Sequence, residues 1–148
     1  MTKVEFISLE DVLGKDVSDL ERLKQDVIEV EKLGGQLPIT GLTNPEFKQI
    51  KKDCKSFVPD GTGGMRTDVD DDKLMIRVII KAVDKDKRSS FTFANKQLLE
   101  KLGVTTADQA VEKLLSPGEI TKAAVKVQDA SGFGNAVQKE VKEEVKNS

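Results

Sequence analysis

The stretch that decides the fold is Leu114-Leu115-Ser116-Pro117-Gly118-Glu119, which joins two short helices in the C-terminal third of the chain. Ser116 can cap a helix, Pro117 suits the first helical position, and Glu119 stands three residues after the cap, where it completes a capping box. Apolar residues recur at helical spacing on both sides of this turn, at Ala107, Ala110, Val111, Leu114, Leu115, Ile120, Ala123, Ala124, Val127 and Ala130. These side chains pack helices and carry no reactive groups, so the segment indicates an interaction protein rather than an enzyme.

The composition indicates one compact domain that binds neither nucleic acid nor a membrane. Of the 148 residues, 37% are hydrophobic, 34% are charged and 4% are aromatic, so the core must consist mostly of aliphatic side chains. The 24 basic and 26 acidic residues nearly cancel, and few of the basic residues are arginine, the residue best suited to holding phosphate. No apolar run approaches the roughly 20 residues that span a bilayer, and no signal peptide is apparent. We therefore expect the protein in the cytoplasm.

The order of the predicted elements gives an α+β fold that is mostly α, with an N-terminal two-stranded β-hairpin packed on a bundle of short helices. We divide the chain into an N-terminal arm (1–26), a hairpin plus helical domain (27–133) and a charged C-terminal tail (134–148). In the hairpin, apolar and polar residues alternate around Gly34-Gly35, which we expect to form a two-residue turn. The arm contains a capped amphipathic segment, residues 8–14, that either docks on the body or awaits a partner.

Two further helices are predicted in the middle of the chain. Thr43-Asn44-Pro45-Glu46 is typical of a helix start, and a flexible loop over residues 59–64 ends the helix. The apolar stripe of this helix comprises Phe47, Ile50, Cys54, Phe57 and Val58. Residues 74–80 fit a buried strand by their β-branched content, and a helix because a run of acids precedes them. We favour the helix.

The sequence offers little for catalysis. It contains no histidine, the commonest general base and a frequent metal ligand, and Cys54 falls on an apolar stripe, as a small buried side chain would. The aspartates at 68, 70 and 72 match the first three ligands of a calcium loop, but Lys73 stands where that loop needs glycine and Ile79 where it needs glutamate. We therefore predict no catalytic residue, no metal and no cofactor. A magnesium-dependent enzyme built on these carboxylates stays as a competing hypothesis.

The C-terminal half resembles a known family in the order and spacing of its elements. The segments that carry the resemblance are Leu98-Leu99-Glu100-Lys101-Leu102-Gly103-Val104, Ala110-Val111-Glu112-Lys113-Leu114-Leu115, Pro117-Gly118-Glu119 and Ser131-Gly132-Phe133. In this order they resemble the XkdN-like tail assembly chaperones of long-tailed phages and defective prophages. The likeness is best from about residue 72 to residue 133, and it also favours a helix for residues 74–80.

The resemblance implies a non-catalytic chaperone that acts in the host cytoplasm and is absent from the mature virion. Its partners would be the tape measure protein, which it coats, and the major tail tube protein, which it recruits; homo-oligomerisation is left open. The family often makes a longer, frameshifted form, and this chain would correspond to the short one. A small structural tail or baseplate adaptor protein retained in the virion is the alternative. The candidate partner-binding residues are Leu114, Leu115, Ile120, Phe133, Val137, Val141 and Val145.

Overall fold

The computed structural model describes residues 6 to 133, which form helices and two antiparallel β-hairpins. The helices are α1 (Leu9–Leu13), α2 (Val17–Glu21), α3 (Asn44–Asp53), α4 (Asp71–Lys85), α5 (Lys96–Leu102), α6 (Ala107–Leu114) and α7 (Pro117–Ala130). The strands are β1 (Gln25–Val30), β2 (Gly35–Thr40), β3 (Lys55–Pro59) and β4 (Met65–Val69). The predicted fold class, a mostly α structure with an N-terminal hairpin packed on helices, is confirmed.

The first hairpin supplies one wall of the hydrophobic core. Its register places Ile28 opposite Leu37 and Val27 opposite Pro38. The alternation of side chains turns one face inward, and the buried residues on that face are Ile28, Val30, Leu37 and Ile39. The predicted two-residue turn is wrong, because a 3₁₀ turn over Glu31–Leu33 makes the connection four residues long. Gly34 ends that turn with a positive φ of 65°, and Gly35 already belongs to β2.

Helices α4 and α7 cover the inner face of this hairpin. Helix α4 contacts β2 and α7 contacts β1, and the two helices also pack on each other. The helix predicted over residues 74–80 is confirmed as part of α4, which Asp70 caps by accepting a hydrogen bond from the Lys73 amide at 3.1 Å. Five α4 side chains are buried, namely Ile76, Val78, Ile79, Ala82 and Val83. Burial on more than one side explains why this segment also has the apolar run of a strand.

The corner between α6 and α7 forms as the sequence predicts. Thr106 with Gln109, and Ser116 with Glu119, each make both hydrogen bonds of a capping box. Because the caps fix where each helix begins, the apolar residues of both helices turn toward α4 and the first hairpin. The buried residues are Ala110, Val111, Leu114, Leu115, Ala123, Ala124, Val127 and Ala130.

The second hairpin corrects the prediction for the α3 region. Helix α3 ends at Asp53 with Cys54 as its C-cap, so Phe57 and Val58 lie in β3 rather than on the helical stripe. The segment predicted as a loop contains a tight turn in which the Asp60 side chain accepts hydrogen bonds from the backbone amides of residues 62 and 64. Strand β4 then pairs with β3 along its whole length. The energy of this pairing depends on residues ten positions away, which a local helical pattern does not include.

An ion pair between the buried Asp86 carboxylate and the partly exposed Arg88 guanidinium fastens the end of α4 to the first hairpin. The Asp86 side chain is fully buried and accepts hydrogen bonds from Thr40 Oγ1 at 2.9 Å and from Arg88 Nη2 at 2.9 Å. Arg88 also donates to the carbonyl oxygens of Asp26 and Ile39, one on each strand. The Arg88 hydrogen bonds lower the pKa of Asp86 from 3.8 to about 2. Because these contacts span β1, β2 and α4, they clamp the end of α4 to the first hairpin.

Candidate partner-binding surfaces

Within residues 6–133, the predicted partner-binding residues do not form one surface. Leu114 is 6% exposed and Leu115 is 1% exposed, so both belong to the core and offer almost no side chain to a partner. The prediction that Leu114 and Leu115 bind a partner is therefore corrected, because the apolar stripe on which they lie faces the core. Ile120 is half-buried and packs against the same core.

Phe133 lies at the exposed C-terminal end of α7, held by a regular helix-ending motif. The amide of Phe133 donates to the carbonyl of Gln128 and the amide of Gly132 donates to that of Asp129, each at 3.1 Å. Gly132 has a φ of 99°, which such an ending requires. The Phe133 ring is 49% exposed and meets the Phe47 ring edge to face, with the ring centres 5.5 Å apart. We call these two rings the Phe133 patch.

The backbone beneath the Phe133 patch is tightly fixed. Ser131 Oγ accepts a hydrogen bond from the Leu42 amide at 2.8 Å and donates to the Val127 carbonyl at 2.6 Å. Gly41 approaches the same helix end so closely that a Cβ atom added there would lie 2.1 Å from the carbonyl oxygen of Ala130. These contacts lock the start of α3, which carries Phe47, against the end of α7. The patch is therefore held in place by the body of the protein.

The remaining predicted residues, Val137, Val141 and Val145, lie outside the described residues 6–133. In sequence they recur four residues apart, starting four residues after Phe133. Their role as contact residues therefore stays a prediction.

A shallow groove of about 530 Å³ runs between β1 and α7. The outer edge of β1 is already engaged there, because Lys126 Nζ donates to the Val27 carbonyl at 3.1 Å and Glu119 accepts from the Glu31 amide at 3.0 Å. Charged side chains that occupy edge hydrogen-bonding groups protect a strand from pairing with another chain. The first hairpin is thus protected against strand addition at this edge.

Two exposed apolar surfaces lie away from the Phe133 patch. The first is the arm segment, residues 6–20, where α1 begins with the predicted cap at Ser8 and its capping box with Asp11. Its large apolar side chains are 43% to 91% exposed, so they do not dock on the body; they are Phe6, Ile7, Leu9, Val12, Leu13, Val17 and Leu20. The second is one face of the second hairpin, where Phe57 is 72% exposed and Met65 is 62% exposed. This face was not predicted, because Phe57 was assigned to the apolar stripe of a helix. The alternation of polar Ser56 with apolar Phe57 is nevertheless typical of a strand.

The other candidate chemical groups have structural roles. Cys54 is buried, and burial raises the pKa of its thiol, which lowers its reactivity. Asp70 caps α4. Asp68 Oδ2 lies 3.9 Å from Arg66 Nη2 on the second hairpin. Among residues 6–133, no three His, Cys, Asp or Glu side chains group as a metal site would need, and no helix there has the length and apolarity to cross a membrane.

Comparisons with known proteins agree with the resemblance seen in the sequence. No functionally curated protein matches the chain. The crystal structure of the protein yqbn aligns with 88% of this chain and 99% of its own, with a TM-score of 0.55 and 17% identity, which shows a shared fold. The family model of the phage XkdN-like tail assembly chaperone protein matches residues 9–146, well beyond the part where the resemblance was best. This chain therefore belongs to the XkdN-like family of phage tail assembly chaperones.

Proposed function

We propose that this chaperone binds the tape measure protein and recruits tail tube subunits during tail assembly, without making or breaking a covalent bond. The observation that carries this proposal is the exposure of large apolar side chains on separate surfaces of a folded protein. Exposed apolar patches rimmed by charge are typical of surfaces that bind other proteins. A long tape measure protein would expose many apolar helical faces before the tube forms. The apolar surfaces of the chaperone would cover these faces.

We assign the tape measure contact to the Phe133 patch and the tail that follows it. The patch presents two aromatic rings on a fixed backbone. The chaperone therefore loses little conformational entropy when a partner helix docks on it. Val137, Val141 and Val145, which are spaced four residues apart in sequence, would continue the contact. A surface this small gives weak, exchangeable binding, which suits a chaperone that tube subunits must displace.

Co-expression with the tape measure protein from the same tail gene cluster tests this assignment. We expect the two proteins to co-purify, and Phe133→Ser to reduce the recovered tape measure protein at least fivefold. Leu33→Ser is the matched control, because Leu33 is 51% exposed and lies on the first hairpin, away from the patch. Equal recovery with both variants would remove Phe133 from the interface, and failure of the parent proteins to co-purify would refute the proposed function.

The alternative, a structural tail or baseplate adaptor, differs in its final location. We propose that the chaperone acts in the host cytoplasm and leaves before the tail is complete. Quantitative mass spectrometry of purified particles distinguishes the two functions by the amount of this protein in the particle. A chaperone should be absent from the particle or strongly depleted there. Recovery in a fixed ratio to the tail tube protein would favour the adaptor.

We further propose that the three parts of the chain divide this work. The arm up to residue 24 and the tail (134–148) would make contacts with other chains, while residues 25–133 supply the rigid body that spaces them. The arm predicted as 1–26 ends two residues earlier, because Gln25 and Asp26 lie in β1. Limited proteolysis of the free protein tests this division. Cleavage should fall first near residues 22–24 and after residue 133, and early cleavage inside the helical body would contradict it.

A further inference from the structure

Each of the two hairpins has two outer edges, and in the described residues only the outer edge of β4 is unblocked. Lys126 and Glu119 occupy backbone groups on the outer edge of β1. Proline has no amide hydrogen, and it interrupts the outer edge of β2 at Pro38 and that of β3 at Pro59. Strand β4 contains no proline, and no side chain that the structure describes is hydrogen-bonded to its outer edge. This edge is therefore open to another strand.

The hydrogen bonds of the second hairpin determine which backbone groups point outward on β4. The Asp70 amide donates to the Cys54 carbonyl at 3.0 Å, and the Asp60 amide donates to the Gly64 carbonyl at 3.2 Å. Hydrogen-bonded and non-hydrogen-bonded pairs alternate along an antiparallel ladder, so every odd-numbered residue of β4 turns its amide and carbonyl away from β3. These residues are Met65, Thr67 and Val69.

The second hairpin has little support from the rest of the protein. Its two strands pack mainly on each other, and Val69, at the end of β4, is the residue of that strand that is half-buried. A two-stranded ribbon is marginal in water, whereas a sheet of three or more strands with an apolar face is stable. A strand added at the open edge would therefore stabilise the hairpin as well as bind to it.

We propose that β4 pairs antiparallel with β4 of a second copy, around a two-fold axis at Thr67, so that the two hairpins form one four-stranded sheet. The sequence of β4 is self-complementary in this register. Arg66 lies opposite Asp68 of the other copy, which joins opposite charges. Met65 lies opposite Val69 of the other copy, which joins apolar side chains. Each outward-facing residue of β4 then donates one hydrogen bond across the interface and accepts one.

The side chains on both faces of the hairpin fit this register. Arg66 and Asp68 form non-hydrogen-bonded pairs across the new interface, where opposite side chains approach most closely. Within one chain these two side chains are 3.9 Å apart and more than half exposed, so they can turn toward new partners. On the other face, the exposed Phe57 and Met65 of both copies come to lie on the same side of the sheet and form one wider apolar surface.

The charge of the hairpin does not oppose this pairing. Residues 55–69 contain two basic and two acidic residues, so their net charge is zero. Three aspartates follow at 70–72, and the antiparallel arrangement places the two acidic clusters at opposite ends of the four-stranded sheet.

The pairing closes at two copies. Its interface uses the same strand of each copy, and the strands left at the outer edges of the four-stranded sheet are both β3, which Pro59 interrupts. We therefore expect a dimer and no larger assembly from this contact. Such a dimer needs no tape measure protein, so its absence would leave the proposed function untouched.

Sedimentation of the full chain from micromolar to submillimolar concentration tests for this dimer. The wild type should dimerise with rising concentration, whereas Thr67→Pro should stay monomeric. The proline removes an outward-facing amide at the centre of the interface and leaves the ladder with β3 intact. Thr67→Val is the matched control, because it keeps the amide and should dimerise within twofold of the wild type. A wild type that stays monomeric would leave the β4 edge to a strand of another protein and overturn the proposal, as would dimerisation of Thr67→Pro.

Exchange of the two charges tests the register and leaves the backbone unchanged. Arg66→Asp and Asp68→Arg each place like charges opposite each other and should weaken dimerisation at least fivefold at low salt. A mixture of these two variants should form a heterodimer, and Arg66→Asp/Asp68→Arg should dimerise as the wild type does, because opposite charges then meet again. Lys101→Asp on α5 makes the same charge change as Arg66→Asp at an exposed site and should have less than a twofold effect. Failure of the two single variants to pair with each other overturns the proposal.

Amide hydrogen exchange distinguishes pairing at the β4 edge from contact through the apolar face. The amides of Met65, Thr67 and Val69 should exchange more slowly as the protein concentration rises, because they are hydrogen-bonded only in the dimer. Thr67→Pro should abolish this gain of protection at the other two positions. A dimer in which these amides exchange as fast as in the dilute protein is held by another surface, and that result overturns the proposal.

Discussion

Replacing Asp86 with asparagine should remove much of the attachment between α4 and the first hairpin. Its carboxylate receives hydrogen bonds from Thr40 and Arg88, and these contacts, Arg88 foremost, hold its pKa at about 2 instead of 3.8. At ~1.4 kcal/mol for each tenfold change in proton affinity, the difference corresponds to ~2 kcal/mol in favour of the charged form. Arg88 is 44% exposed and can be solvated when its partner is lost, so the cost should stay below that of a fully buried pair.

The pH dependence of the stability lost in Asp86→Asn follows from the direction of the pKa shift of Asp86. The folded-state pKa of Asp86 is depressed, so its contribution is fully present above the unfolded pKa and is lost as the pH falls through the folded pKa. The free energy of unfolding of Asp86→Asn should therefore lie ~2 kcal/mol below that of the wild type from about pH 5 to neutrality. The two proteins should converge as the pH falls toward about 2, because the wild-type carboxyl then becomes neutral as well.

Urea denaturation at a series of pH values measures this difference directly. Comparing two proteins at each pH cancels the titration of every other acid. The control is Asp84→Asn, an exposed position on α4 where the amide oxygen can still accept the hydrogen bond from Thr92 Oγ1, and its effect should stay within ~0.5 kcal/mol. A neutral-pH difference below ~0.5 kcal/mol for Asp86→Asn, or one that does not shrink in acid, would refute the clamp.

Three further predictions concern stability and reactivity. Gly41→Ala should cost at least ~2 kcal/mol, because its Cβ would lie 2.1 Å from the carbonyl oxygen of Ala130, whereas Gly118→Ala, with nothing within 4 Å, should be neutral or stabilising in thermal melts. Ser116→Ala removes one half of a capping box and should cost ~1 kcal/mol by urea denaturation. Cys54 should react with a thiol reagent at least a hundredfold slower in the folded protein than in urea; equal rates would contradict its burial.

The parts of the fold that the sequence predicted are those fixed by short-range contacts. The helix starts predicted at Thr43 and Ser116 both form, because each depends on side-chain and backbone groups only three residues apart. The helix over residues 74–80 could be chosen for a similar reason, since acids in the first turn favour a helix start. Local spacing therefore located these helix starts well.

The errors have a common physical cause, which is that the deciding contact lies far away in sequence. Phe57 fits a helical stripe and a strand equally well, and pairing with β4 decides between them. The buried position of Asp86 was not predicted, because its hydrogen-bond donor Thr40 lies 46 residues away. Leu114 and Leu115 lie on the apolar stripe of their helix, but periodicity alone does not separate a core face from a binding face.

The way the exposed apolar residues are divided bears on how a chaperone stays soluble before it meets its partners. One large apolar surface would bind indiscriminately, whereas the arm segment, the second hairpin and the Phe133 patch each expose only a few large side chains. Under the proposed function, each contact is weak by itself and is strengthened where several copies bind one long partner. If the Phe133 patch faces the tape measure protein as we propose, the arm segment and the second hairpin stay available for other contacts.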